Sequence, residues 1–548
     1  MKRRGAFLIM CSLLLGNAAQ AYIMLPALPL EEVAAQADLV FKGTAISSKS
    51  RNHDGAIGDV ETRFRIISVI KGEYSSARLG FVHSDRLPPT PVFDPRLHYH
   101  FEIGRTYLVF AKGTGDPRVF QQLWINQTGK MDQGVLLCAN DKTVSAPAIK
   151  PAFWSELISM LHSGRPNDVI YALWQLDQMT GGPGNGRVRS IYSDFGRQEI
   201  WAAAHEFITN PNPEIAKMAI GLIGAHNPYM HTADPGEDLA GISATWPVSL
   251  TGFTLTLWDL TPLDKWPGNP GALLYRNELT AVANGRMDNA TRALAIRALG
   301  LVRDRALETP LARWLTDPAP TVRSAAALLL ADYPDLATRD RVMTLARDPE
   351  PSVRESTGFL IGYGQQNDKA DMLAKLLTDP DAKVRRAAGA SLLLFPAKDE
   401  AIAAIFRANL KNQEIGPLCL IALARENPEG YLDGLAGELE QQTMPTNWPG
   451  GENPTFSAWN ILFGYLRDQP FTAITSGKFD RYLDVMEKGR YVSSSEPRDL
   501  YAFYILRGMT ARALRFRQEA DKAAGYDLDF YFRQVDRNPS LYERRNNH

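Results

Sequence analysis

Cysteine is scarce in this chain: three residues in 548. One of them, Cys11, falls in an N-terminal segment that reads as a cleaved leader. Cys138 and Cys419 remain, far apart and in different expected domains. Two such thiols cannot form a disulfide framework, and no cysteine pair has the spacing of a structural zinc site. Catalytic signatures are missing as well. No G-x-S-x-G, H-E-x-x-H, P-loop or dinucleotide fingerprint occurs, so no reaction and no cofactor can be read. An excess of basic charge is also lacking, with 60 Lys and Arg against 61 Asp and Glu. That argues against a nucleic-acid partner, whose binding rests on clustered cations. Beyond the leader, no apolar run reaches the ~20 residues of a membrane span.

The leader is the first feature present. MKRRGAFLIMCSLLLGNAAQA starts with Lys2, Arg3 and Arg4, continues through an apolar run from Ala6 to Leu15, and ends on Ala19-Gln20-Ala21. This is the pattern of a secretory signal, with the cut expected after Ala21 and the mature chain periplasmic or secreted. Removing residues 1–21 takes away three basic and no acidic residues, leaving a net charge of −4. A chain of this length exceeds one core, so several domains or a repeat array are expected.

Residues 22–147 read as short strands. ADLVFKGTAIS (37–47) is rich in β-formers, and in TRFRIISVIKGEY (62–74) Phe64, Ile66 and Ser68 alternate with Arg63, Arg65 and Ile67. RTYLVFAKGTGDPRVFQQLWI (105–125) reads as two strands joined by a turn. The order of ADLVFKGTAIS, FRIISVIKGEY and FEIGRTYLVFAKG resembles bacterial netrin-like domains related to tissue inhibitors of metalloproteases. That resemblance implies a five-stranded OB-type barrel. It does not imply protease inhibition, because those inhibitors use an N-terminal Cys and the mature chain would start Tyr22-Ile23-Met24. His98 and His100 (LHYHF) would share a strand face and, with Cys138, are the weak metal candidates. Next to the Pro-rich stretch LPPTPVFDP (87–95) they read as rim histidines, and no metal is assigned.

The region 150–440 carries a period. DPAPTVRSAAA (317–327), DPEPSVRESTG (348–358) and DPDAKVRRAAG (379–389) repeat at 31 residues. Asp317, Asp348 and Asp379 share one register position, and Arg323, Arg354 and Arg385 another, with Arg292 one period earlier. A period of this length is that of a solenoid. Each unit reads as two helices, the second starting near Pro320 and bearing apolar residues at Val322, Ala325, Ala326, Leu329 and Leu330. The pattern D-P-x-x-x-V-R followed by small residues resembles HEAT-like repeats of the short type found in phycobilin lyase subunits. The resemblance implies an α-solenoid, protein binding, and a ladder in which each Asp meets the Arg of its own or a neighbouring unit. It does not imply lyase activity.

An insertion at 227–272 interrupts the register and holds Trp246, Trp258, Trp266, Phe253 and six prolines. Insertions in solenoids map to one face, often the binding face, so these aromatics are the candidate partner contacts. His231 and Asp234 also lie there and His226 lies at its edge, without a motif. Helices at 153–164 and 168–179 are expected to cap the array. After MPTNWPGGENP (444–454), a helical cap is expected over 441–548, with one long helix at 499–523.

The expected architecture is multidomain: a small all-β OB-like barrel, an all-α HEAT-like solenoid and a helical C-terminal cap. The expected function is that of an exported protein-binding scaffold, not an enzyme. Alternatives are an inhibitor or immunity-type protein acting on an exported enzyme, and a metal-dependent hydrolase using the His-bearing loops.

Overall fold

The computed structural model describes residues 29–50, 59–84, 99–123, 134–144, 148–180, 195–224, 268–363, 369–392, 400–412, 415–441, 454–488, 495–524 and 529–539. The chain packs as two compact units that part between Val302 and Arg303. The boundaries expected near 150 and 441 lie inside these units.

The first unit begins with β1 (Leu39–Ser50), β2 (Asp59–Lys71), β3 (Arg78–Ser84), β4 (Thr106–Gly113), β5 (Val119–Gln122) and β6 (Val135–Cys138). They follow the order β1-β2-β3-β5-β4, and β4 pairs back onto β1 to close a five-stranded barrel. The β3–β5 pair is parallel and the others are antiparallel, while β6 adds to β4. This is an OB-like barrel, and closure leaves few free strand edges. Its core is aromatic. Phe64 makes edge contacts with Phe101 at 5.1 Å, Phe41 at 5.5 Å and Phe81 at 6.3 Å between ring centres. The Lys71-Gly72 turn needs its glycine: φ is +83°, and a Cβ would stand 2.4 Å from the Asp38 carbonyl. Lys71 Nζ donates to the carbonyls of Ala34 and Ala37 at the end of α1 (Leu30–Gln36), where a cation complements the helix dipole.

Helices follow as hairpins: α2 (Ile149–Leu161) with α3 (Pro166–Thr180), α4 (Arg197–Ala204) with α5 (Pro213–Gly224), and, after the short α6 (Pro270–Leu274), α7 (Arg276–Asn284) with α8 (Asn289–Ala298). The second helices α3, α5 and α8 pack side by side. The first hairpin lies against the barrel through charges. Lys42 Nζ, 1% exposed, donates to Glu156 Oε1 at 2.7 Å, and Arg105 donates to the buried Asp168 at 2.5 Å. Burying ions costs solvation, so such pairs fix a register more than they add stability.

In the second unit the hairpins are α9 (Glu308–Trp314) with α10 (Pro320–Leu329), α11 (Arg339–Leu345) with α12 (Pro351–Tyr363), α13 (Lys369–Leu376) with α14 (Ala382–Leu392), and α15 (Glu400–Asn409) with α16 (Gly416–Glu426). The second helices again form a row, α10 on α12 on α14 on α16. Small residues let them approach. Ser324 and Ser356 share a hydroxyl hydrogen bond of 2.7 Å, and a Cβ at Gly358 would lie 3.3 Å from Ala387 Cβ and the Ala388 nitrogen. This is a HEAT-like solenoid, in which a hairpin buries its apolar faces on its neighbours.

The C-terminal helices are α17 (Leu432–Gln441), α18 (Pro454–Arg467), α19 (Phe471–Thr475), α20 (Asp480–Lys488), α21 (Ser495–Leu506), α22 (Thr510–Ala524) and α23 (Asp529–Arg537). One hydrophobic core runs from Leu420 on α16 to Val535 on α23, so the cap is continuous with the last repeat. The single helix expected at 499–523 is two helices, broken at Gly508, whose φ of +66° is left-handed. Across the break Arg512 binds a row of carboxylates on α20: Asp480 at 2.9 Å, Glu487 at 2.5 Å, and Asp484.

Candidate functional site: the Asp–Arg ladder

The Asp-Pro segment of each repeat is a turn with a set chemistry. Asp348 Oδ1 accepts the N–H of Glu350 at 2.9 Å, and Pro351 opens α12, where no intrahelical N–H partner is required. Asp317 does the same with Ala319, and Asp379 with Asp381, each at 2.9 Å. The turn thus holds each carboxylate at the mouth of its second helix.

The arginines link these turns along the array. Arg354 presents Nε and Nη2 to the two carboxylate oxygens of Asp379, at 2.8 and 2.9 Å. Its Nη1 turns back to the carbonyls of Asp348 and Pro349, at 2.9 and 3.1 Å. Arg323 repeats the arrangement, with both bonds to Asp348 at 2.9 Å and Nη1 on the carbonyls of Asp317 and Pro318. Each arginine therefore grips its own repeat through backbone and the next repeat through a bidentate ion pair. Arg385 holds its own carbonyls likewise, at Asp379 and Pro380. Arg292, in the first unit, differs: its Nε donates to Ala283 O and its Nη1 to Asn289, and the helix cap beside it is Asp288.

The electrostatics of the ladder are those of a structural pair. Partial burial pushes the Asp348 and Asp379 carboxyls up, but the hydrogen bonds from Arg323 and Arg354 outweigh it and hold both below the usual carboxylate range. The hydrogen bonds to those carboxylates raise the two guanidinium groups in turn. Both members stay charged near neutrality, and both oxygens of each carboxylate are engaged. The ladder cannot supply a general acid or base at neutral pH.

Most of the other candidate residues lie outside the described residues: Trp246, Phe253, Trp258 and Trp266, with His226, His231 and Asp234, and also His98. His100 is not on a strand: it is exposed in the irregular segment ahead of β4, while Cys138 is buried at the end of β6. His100 therefore does not take the strand position expected of it, because the chain enters β4 only at Thr106. Among the described residues no group of three His, Cys, Asp or Glu side chains is placed to hold a metal ion. No described helix is long and apolar enough to cross a membrane.

Two features escaped the sequence reading. Lys42 and Glu156 meet in the interior beside Cys138, whose thiol is pushed well up by burial and by the Glu156 charge. The available signal was a lone lysine inside the apolar run LVFKG. Asn269, at the foot of the insertion, is buried and bridges two helix ends: its side-chain oxygen accepts from Ala272 N–H and its amide donates to Ala298 O at 3.1 Å.

Comparison with known proteins agrees with the repeat. Residues 277–359 match HEAT repeats. No curated protein matches the sequence. Among solved structures, the chain is similar to Escherichia coli YibA, with 18% identity, covering 56% of this chain and 92% of YibA at a TM-score of 0.30. It is also similar to yeast importin-β Kap95p bound to RanGDP, with 12% identity, covering 72% of this chain and 51% of Kap95p at a TM-score of 0.37. A third similarity is to the Pds5–Scc1 complex, with 14% identity, covering 71% and 74% at a TM-score of 0.26. By the family match, segment 277–359 is HEAT-like, and the arginines at 323 and 354 lie within it.

Proposed function

We propose that this protein is an exported scaffold that binds another protein through its repeat array and has no catalytic role. The observation that carries the reading is the HEAT-repeat match over 277–359. Stacked hairpins offer an extended surface, on a frame tied by ion pairs at Arg323–Asp348 and Arg354–Asp379, and this suits recognition of a large partner. The ladder supports the same view, since its charged groups are consumed in holding repeats together. Export is supported by the leader ending at Ala21. A kinship of the barrel with netrin-like domains is supported by the strand order and the parallel β3–β5 pair.

The test uses the full mature chain, tagged and purified from its own cell envelope, with metal content measured on the same sample. The expected result is one stoichiometric protein partner that also retrieves this chain when tagged itself. Recovery of no specific partner together with a stoichiometric metal ion would sink the scaffold reading in favour of a metal-dependent enzyme.

A further inference from the structure

The outer wall formed by β2 and β3 carries unspent positive charge. In the antiparallel register Arg63 faces Gly80 and Arg65 faces Arg78. Side chains alternate across a strand, so Phe64, Leu79 and Phe81 enter the core while Arg63, Arg65 and Arg78 stand outside. The Arg63 and Arg65 side chains are 67% and 56% exposed. Gly80 has no side chain, and the Glu61 carboxylate lies over it, 3.0 Å from where a Cβ would stand, at one end of the wall. Like charges directly opposite one another weaken a sheet, so the Arg65–Arg78 pairing opposes stability.

These cations are poorly neutralised. Arg63 Nε is 3.8 Å from Glu61, and Arg65 is 3.7 Å from Asp141 and 3.5 Å from the Thr44 hydroxyl. The Arg78 guanidinium makes no hydrogen bond or ion pair among the described residues. We propose that this wall is a second contact surface, taking an acidic segment of a protein partner whose carboxylates meet Arg78, Arg65 and Arg63. Glu61 and Asp141 decide the class of ligand. A nucleic-acid backbone, with a phosphate at every step, would lie against them, whereas a peptide with spaced carboxylates can avoid them. The surface extends the protein-binding reading only in that its occupant is a protein. It does not depend on what the repeat array binds.

The test is fluorescence anisotropy of the full mature chain with three probes: a labelled peptide of alternating Glu and Gly, its Gln–Gly counterpart, and a thymidine oligonucleotide of equal charge. The Glu peptide should bind at low salt and release as salt rises. The doubly reversed variant, Arg65→Glu with Arg78→Glu, should weaken it by about tenfold or more, and Arg78→Gln alone by about threefold, as for charges at an interface rim. Arg78→Lys should keep most of the binding, and Arg313→Glu, an exposed reversal on α9, should change nothing. Equal binding of the Glu peptide by wild type and Arg78→Gln, or tighter binding of the oligonucleotide than of the peptide, overturns the proposal. Either result leaves the repeat-array reading intact.

Discussion

Arg354 and Asp379 lie 25 residues apart and form a two-bond ion pair between successive repeats, with the arginine side chain 12% and the aspartate 8% exposed. Arg354→Ala removes both bonds and the grip on two carbonyls, and leaves a largely buried carboxylate without its cation. A loss of about 2–3 kcal/mol is expected, because hydrogen bonds to charged groups are the stronger kind. Arg354→Lys should recover under half of it, since an ammonium cannot reproduce the fork. Urea unfolding of the two variants and of Asp379→Asn, combined as a double-mutant cycle, measures the coupling. An unchanged midpoint for Arg354→Ala would remove the ladder from the stability of the array.

The same pairs set an acid limit. Burial raises the Asp348 and Asp379 carboxyls, the arginine hydrogen bonds lower them further, and the net shift is downward. A carboxyl depressed in the folded state contributes stability that is complete above its unfolded value, about 4, and is lost as pH falls through the folded value. Stability of the second unit should therefore drop below pH ~4. Arg323→Gln with Arg354→Gln should flatten that drop, as read by melting temperature against pH. A slope unaltered by the double variant would place the acid sensitivity elsewhere.

Gly358 tests helix spacing. Its virtual Cβ lies 3.3 Å from both Ala387 Cβ and the Ala388 nitrogen. Gly358→Val should separate α12 from α14 and cost about 1–3 kcal/mol by overpacking. Gly358→Ala should cost less, since a single methyl needs a shift of only tenths of an ångström. Thermal melts that rank valine above alanine in stability would contradict the close approach.

Lys42 and Glu156 should show the asymmetry of a buried ion pair. Lys42→Met or Glu156→Gln alone strands one partner, and a loss of about 3–5 kcal/mol is expected from the charge left unpaired. Lys42→Met with Glu156→Leu should be far milder than the sum. Additive losses in urea unfolding would show that the two groups do not depend on each other.

Cys138 and Cys419 are free and buried, with Cys419 pushed up to about 12 by burial. Neither should react with a thiol reagent in the native protein at pH 8, and both should react in denaturant. Rapid native labelling would show that one of the two sites opens.

The ladder was legible because its residues recur at a fixed interval, and the strands because Arg63 and Arg65 alternate with Phe64. Tertiary choices left no such trace. Nothing in the spacing tells that Arg354 reaches forward to Asp379 and not back to Asp348, since both carboxylates sit at ladder positions. Lys42 reads as a surface residue by type, and only the docking of α2 puts Glu156 against it. The break at Gly508 was hidden because the residues on both sides are good helix formers, and a left-handed glycine looks like any other in one dimension. For the aromatic insertion, the sequence supplied candidates without a geometry to join them.

The forward reach of each arginine also constrains how the chain can change length. A segment of 31 residues, removed or duplicated between Asp317 and Asp379, leaves each forward-reaching arginine with an aspartate 25 residues ahead and each turn with its Asp-Pro. A length that is not a multiple of 31 strands a cation at the join. The array is thus quantised: it can grow or shrink by whole repeats, with the same Arg–Asp pair closing each new seam.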